Sequence, residues 1–245
     1  MSTTLSPRMP ELLSKPQLYT LLEVPRAAVD MVALPIAMPA LLKKKTDQGH
    51  PVLVVTGLWS VNSGTLELRA ALKLLGYSTH VPPEFTMLRK PSTIRAAVIA
   101  EIEKLYAEYG TKVTLVGWCV GGAFTRMAAF AVPDKVRQVI NLGSAREGWW
   151  YPKEYKYTGL DHLPVPSTVV YSRSDGMFDH AKVCEPDGPL NENVEIVSSH
   201  WGMANNPMTV RILADRLAQP EGQWAPFAGF RGGEAQPKLR LAKSA

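Results

Sequence analysis

An α/β fold, with a mostly parallel central sheet covered by helices on both faces, is what this sequence of 245 residues predicts. Three observations carry the prediction. Short apolar runs rich in β-branched residues recur along the chain, among them HPVLVVT at 50–56, VTLVGW at 113–118 and STVVYS at 167–172. They lack the polar alternation of a strand with one wet face, so both of their faces are expected to be buried. Between them lie segments with helical spacing of apolar side chains, the alternation from which parallel sheets are built.

Taken in order, residues 1–45 predict an N-terminal extension with one or two short helices. Residues 27–42 are apolar, but Asp30, Pro35 and Pro39 interrupt them, and they fall short of the ~20 residues that a bilayer span requires. This stretch is expected to pack on the main domain. A second expectation is a peripheral, reversible membrane contact through it and the Lys43-Lys44-Lys45 run that follows.

The main domain is expected over 46–228. A buried strand at 50–56 ends at Gly57, and an amphipathic helix over 63–75 stops at Gly76. A short strand at 77–81 precedes Pro82-Pro83. Ser92 is read as the cap of a helix that runs to about Tyr109 and ends at Gly110. The strand at 113–118 comes next, then a helix from Gly121 to about Ala131. Further strands are expected at 136–142, 167–172 and about 194–198, with a closing helix near 208–218. A short cap occupies about 143–166, and residues 229–245 read as a flexible basic tail.

Composition narrows the functional classes. Of the formal charge of +5, the last fifteen residues hold +3, from Arg231, Lys238, Arg240 and Lys243 against Glu234. The remaining body is close to neutral and lacks a basic, aromatic-interleaved surface, so no nucleic-acid partner is expected. Two cysteines, Cys119 and Cys184, form no disulfide framework, and the first twenty residues lack a secretory signal pattern. A cytoplasmic location is the expectation. The five histidines are scattered and the cysteines lack ligand spacing, so neither a metal nor a cofactor is expected.

Chemistry concentrates at VTLVGWCVGG, residues 113–122. An apolar strand breaks into a glycine turn with one nucleophile-capable side chain, Cys119, at its apex. A nucleophile elbow strains the apical residue and needs small neighbours two positions away, which Gly117 and Gly121 provide, while Gly122 lets the next helix pack closely. The helix N-terminus beneath Cys119 favours thiolate over thiol. The Val120 N–H would be one oxyanion donor, and Leu58, just after the first strand, sits where the second is expected. Such a turn could also cradle a phosphate, but the pattern is neither G-x-G-x-x-G nor G-x-x-x-x-G-K-[ST]. Cys119 could also be a small buried hydrophobe.

Asp175 follows the strand VVYSRS in a turn before Gly176, where a carboxylate can accept the Nδ1–H of a histidine. It could equally serve only to cap that turn. Asp179 is the reserve candidate. Of the five histidines, His200 alone lies beyond the last strand and beyond the acid. Nucleophile, acid and base thus stand in the order Cys119, Asp175, His200.

With these residues in place, the chain resembles the α/β-hydrolases over about residues 48–227, and is similar to their compact lipase- and esterase-like members. The matching segments are the elbow GWCVGG, YSRSDG at 171–176 and SHWGMANNP at 199–207, with the later ADRLAQPEGQWAPF at 214–227. The departure is cysteine in place of the usual serine. A cysteine box of this kind resembles those of polyhydroxyalkanoate synthases, which transfer acyl units from coenzyme A thioesters, and of dienelactone hydrolase, which opens a lactone. The resemblance implies a Cys-His-Asp triad and a covalent acyl-thioester intermediate.

The expected activity is that of an acyl hydrolase, an esterase, thioesterase or lactonase, acting on a small-molecule ester or thioester. An acyltransferase with the same triad and a non-catalytic ligand-binding protein on the same fold remain alternatives. Trp59, Trp118, Trp149, Trp150 and Trp201 are candidate walls of an apolar acyl pocket, or simply pack the cap on the body.

Overall fold

Among the described residues, six strands form one sheet in which every neighbouring pair is parallel. The computed structural model describes residues 15–46, 49–57, 63–83, 90–148 and 162–229. The strands are β1 (Pro51–Val55), β2 (Ser78–His80), β3 (Val113–Trp118), β4 (Val136–Leu142), β5 (Ser167–Tyr171) and β6 (Asn191–Glu195), in the spatial order β2-β1-β3-β4-β5-β6. The helices are α1 (Lys15–Leu21), α2 (Glu23–Leu41), α3 (Leu66–Leu74), α4 (Pro91–Tyr109), α5 (Gly121–Ala131), α6 (His180–Val183) and α7 (Pro207–Leu217).

Alternating side chains along each strand feed two cores, as a doubly covered sheet requires. Val52, Val54, Val116, Ile140 and Val170 pack with Leu34 of α2, Leu68 and Leu72 of α3, and Val210 and Leu213 of α7. On the opposite face Leu53, Val55, Leu115 and Val139 pack with Val98, Ile102 and Leu105 of α4 and Phe124 and Met127 of α5. The chain runs from β1 outward to β2 and then returns across β1 to β3, so connections leave β1 and β3 in opposite directions. The carboxyl ends of those two strands form the switch point that is the usual ligand position in an open α/β sheet.

Three expectations are corrected. The long helix is not capped by Ser92; it starts at Pro91 after an extended Lys90 with no side-chain cap, because proline at the first helical position has its φ already set. The last strand lies at Asn191–Glu195 rather than 194–198. It is an edge strand paired only with β5, mostly half-buried, so apolar side chains do not mark it. The N-terminal extension holds one short helix and one long helix instead of short ones, for α2 continues through Pro35 and Pro39. Both prolines lie on its exposed side, where the carbonyls they leave unpaired meet water.

α5 is anchored from beneath by a buried ion pair. Arg126 Nε donates to Glu185 Oε1 at 3.1 Å, Ser167 donates to Glu185 Oε2 at 2.6 Å, and both charged side chains are almost wholly buried. Removing one member of such a pair strands the other. Glu185→Ala is therefore expected to cost about 3–5 kcal/mol of folding stability, read as a lowered midpoint in urea unfolding.

Candidate active site

The carboxyl edge of the sheet gathers the sequence-predicted nucleophile, acid and base. Cys119 directly follows β3 and has φ 57°, making it the one non-glycine residue with positive φ among those described. A side chain in that region costs about 1–3 kcal/mol and persists only where its surroundings impose it. Here they do. A Cβ at Gly117 would meet Asn141 Oδ1 at 2.6 Å and Thr125 Oγ1 at 2.7 Å, and one at Gly121 would run into the Val55 and Thr56 carbonyls of the β1 end. Gly57 faces Cys119 just as closely, since a Cβ there would lie 2.9 Å from the cysteine Cβ.

Asp175 lies in the turn after β5, with Oδ1 accepting from the Met177 and Phe178 N–H groups at 2.8 and 2.9 Å. Its other oxygen, Oδ2, is 2.8 Å from His200 Nδ1. Capping its own turn and holding the imidazole are thus done by separate oxygens of one carboxylate. Asp179, the reserve, instead caps α6 by accepting from the Ala181 N–H at 2.9 Å and stands beside His180.

His200 is buried, and its Nε2 has no well-aligned hydrogen-bond partner among the described groups. The titrating side chain that acts on it besides Asp175 is Cys119. Burial is the largest single influence on this imidazole and lowers its pKa. The bond to Asp175 and the interaction with Cys119 together outweigh burial and raise the pKa to about 10. The contrast with His50 is instructive: burial with no carboxylate partner drives that ring, bonded to Thr114 at 2.7 Å, down to about 3. Burial likewise pushes the Cys184 thiol up to about 12.

The Trp118 indole is buried, stacks near the His200 ring at 6.2 Å and donates to the His200 carbonyl at 3.2 Å. It braces the base from behind, and little of it is left to meet a substrate. Trp201 is half exposed beside His200. Val120 is the N-cap of α5, so its N–H belongs to the unpaired first turn. Leu58, Trp59, Trp149 and Trp150 lie outside the described residues, as do residues 149–161 of the cap and 230–245 of the tail.

Three contributors escape the sequence reading. Gly143, at the end of β4 with φ 52°, leaves no room for a side chain. A Cβ there would come within 3.2 Å of Asp175 Oδ2 and 3.3 Å of His200 Nδ1. Phe178 sets its ring edge-on to the imidazole at 5.1 Å. The third is Glu23 of α2, a buried carboxylate. Its Oε1 accepts from the Gly176 N–H at 2.7 Å and the His200 N–H at 3.0 Å, and its Oε2 from the Trp201 N–H at 3.0 Å. Thr20 and Arg26 add bonds to the Gly176 and Ser174 carbonyls, both at 2.6 Å, and Asp30 accepts from Ser198 and Asn206, both at 2.9 Å. One helix face thus holds the acid loop and the base loop together. The signal was present as Glu23, Arg26 and Asp30, charges at helical spacing in an otherwise apolar helix.

Among the described residues no group of three or more His, Cys, Asp or Glu is placed to hold a metal ion. Neither a family model nor a curated protein sequence matches the chain. Solved structures do. The lipase B of Aspergillus fumigatus superposes with a TM-score of 0.57 at 18% identity, over 72% of this chain and 54% of its own. The fold is that of the α/β-hydrolases. The mature lipase BlEst2 of Bacillus licheniformis matches with a TM-score of 0.55 at 16% identity, over 71% of this chain and 94% of its own. A monoacylglycerol lipase of Paleococcus ferrophilus gives 0.53 at 14% identity, over 71% and 95%. This α/β-hydrolase-fold chain thus spans about half of the Aspergillus lipase and nearly all of the other two.

Two predictions come from this geometry. Glu23→Gln turns a donor toward at least one of three N–H groups that are buried or half-buried, so about 1–3 kcal/mol of stability should be lost. Amide exchange at Gly176, His200 and Trp201 should accelerate more than exchange within β3, which NMR would read. The second concerns pH. An unfolded imidazole titrates near 6.5 and folded His200 near 10, so the folded state holds the extra proton in between. That stabilisation is complete below about pH 6.5 and is lost as pH rises through 10. The melting temperature should therefore fall more steeply from pH 7 to 10 in the wild type than in His200→Gln.

Proposed function

We propose that the protein is an acyl hydrolase in which Cys119 is the nucleophile, His200 the acid and base, and Asp175 the group that orients the imidazole. The observation that carries this reading is His200 itself. It is a buried ring bonded to a carboxylate at Nδ1 and acted on by a cysteine that is strained at a strand-to-helix turn. Ester chemistry is supported by the neighbours that share the fold, the three lipases named above.

In this cycle His200 takes the Cys119 proton, and its raised pKa, near 10, favours the charged ring that results. The sulfur attacks the acyl carbon, and the carbonyl oxygen becomes an oxyanion facing the Val120 N–H, with the Leu58 N–H as the second donor. As the carbon–oxygen or carbon–sulfur bond of the leaving group breaks, His200 gives that group its proton, leaving an acyl thioester on Cys119 and a neutral imidazole. Water then attacks the thioester while His200 Nε2 takes its proton, and the acid departs as the thiol–imidazole pair re-forms. Asp175 keeps Nδ1 protonated throughout, so that Nε2 is the nitrogen that exchanges protons. A sulfur nucleophile exchanges acyl groups readily with other thiols, which favours thioesters alongside esters as substrates.

Incubation with aryl esters and acyl thioesters, followed by mass spectrometry of the intact protein, should show one acyl adduct on Cys119. Turnover should fall about a thousandfold or more in Cys119→Ala and in His200→Ala. Unchanged turnover in Cys119→Ala, or an adduct at another residue, would overturn the assignment. Adding alcohol or thiol acceptors to the same assay separates hydrolysis from transfer.

A further inference from the structure

We propose that the outward face of α2 docks on an anionic lipid surface, holding the loops of the catalytic edge against it. The helix meets the protein with its three charged residues and with Ala27, Leu34 and Leu41, and its outer face is apolar. Its charged residues, Glu23, Arg26 and Asp30, all bond inward to the loops that carry Asp175 and His200. Its opposite face leaves Val24 71%, Val29 68%, Val32 66% and Ile36 76% exposed. Contiguous exposed apolar surface of this kind marks an interaction site on a water-soluble fold. Met177, Val197 and Trp201, which lie on the loops that α2 holds, are also exposed. A tryptophan at such an edge suits a lipid–water boundary, where one end of the ring is dry and the other wet.

Lipid is favoured over a second copy of this chain by charge. Lys43 and Lys45, just beyond the C-terminal end of the helix, are exposed. Within α2 itself Glu23 is buried and Asp30 is bonded, so the stripe presents no free carboxylate that could receive the lysines of a second copy. Anionic headgroups would receive them. By length and composition α2 could cross a bilayer. Its bonds to the Gly176, His200 and Trp201 N–H groups keep it lying along the protein, so the contact is peripheral.

The test is co-sedimentation of the full chain with vesicles of phosphatidylcholine alone, or of phosphatidylcholine and phosphatidylglycerol in equal parts. Binding is expected on the anionic vesicles and should weaken as salt is raised. The double variants Val32→Glu/Ile36→Glu and Lys43→Glu/Lys45→Glu should each reduce vesicle partitioning about tenfold or more while melting as the wild type does. Cys119→Ala should bind undiminished, so the result does not depend on the proposed chemistry. Absence of binding to anionic vesicles would overturn the proposal, as would binding that both double variants retain. A dimer in light scattering that Val32→Glu/Ile36→Glu dissolves, with no vesicle binding, would show that a second copy covers this face.

Discussion

The arrangement at the carboxyl edge depends on one backbone constraint, the left-handed conformation of Cys119 between β3 and α5. The residue is pinned from both sides: its N–H donates to the Leu142 carbonyl of β4 at 3.1 Å, and its own carbonyl accepts from the Gly122 N–H at 3.2 Å. Glycines at 57, 117 and 121 then let β1, β3 and α5 come closer than side chains would permit. The strain is sustained because β3 lies inside the sheet, with β1 and β4 on either side, and α5 is tied to the rest by the buried Arg126–Glu185 pair. A cysteine on a loose loop would relax out of that conformation. On this scaffold its direction is set before any ligand arrives.

Around that fixed point the imidazole is a compromise between opposing effects. A dry site favours the neutral ring, as His50 demonstrates. The carboxylate at 2.8 Å and the sulfur favour the charged ring, and together they prevail. The balance depends on position, because the attraction of Asp175 falls with distance and angle while the desolvation penalty does not. That is why so much of the neighbourhood serves to hold loops still. Met177 and Phe178 orient the carboxylate, Trp118 and Phe178 bracket the ring, and Gly143 leaves the space in which the two groups meet.

The parts of this architecture that were legible in the sequence are those whose signal is local. β1 and β3 are nearly unbroken apolar runs, and the elbow announces itself by glycines at fixed offsets from Cys119. Asp175 and His200 could be placed by their order along the chain after Cys119, each in a turn beyond a strand. What was not legible depends on contacts distant in sequence. β6 is polar because an edge strand needs only one partner, so no hydrophobic pattern reports it. Gly143 resembles any strand-end glycine until the Asp175–His200 bond is placed beside it. Glu23 lies 177 residues from His200, and its role follows only from where α2 packs. Asp30 and the two prolines counted in the sequence as interruptions of an apolar stretch. In the structure Asp30 is an inward-facing anchor, and the prolines sit on the outer side of a helix that continues past them.

α2 departs from the usual amphipathic helix, which exposes its charges: it turns Glu23, Arg26 and Asp30 inward beside the buried Leu34 and Leu41 and leaves Val24, Val32 and Ile36 exposed. Rotating α2 about its axis would bury Val24, Val32 and Ile36, a gain of about 1.5–3 kcal/mol for each large side chain fully removed from water, but it would expose Leu34 and Leu41, which are buried now. The same rotation would withdraw the Glu23 carboxylate from three N–H groups that are buried or half-buried in the loops bearing Asp175 and His200. It would also release Arg26 and Asp30 from their partners on those loops. Each N–H left unpaired costs about 1–3 kcal/mol, and bonds to a charged acceptor lie at the stronger end of the scale. Apolar area is thus exchanged rather than simply gained, so its burial does not by itself decide the orientation. The decision falls to the loops, whose backbone donors are bonded to Glu23 and whose side chains stay in register with Cys119. An apolar surface facing outward is the physical consequence of using this helix to hold the base and its carboxylate in line.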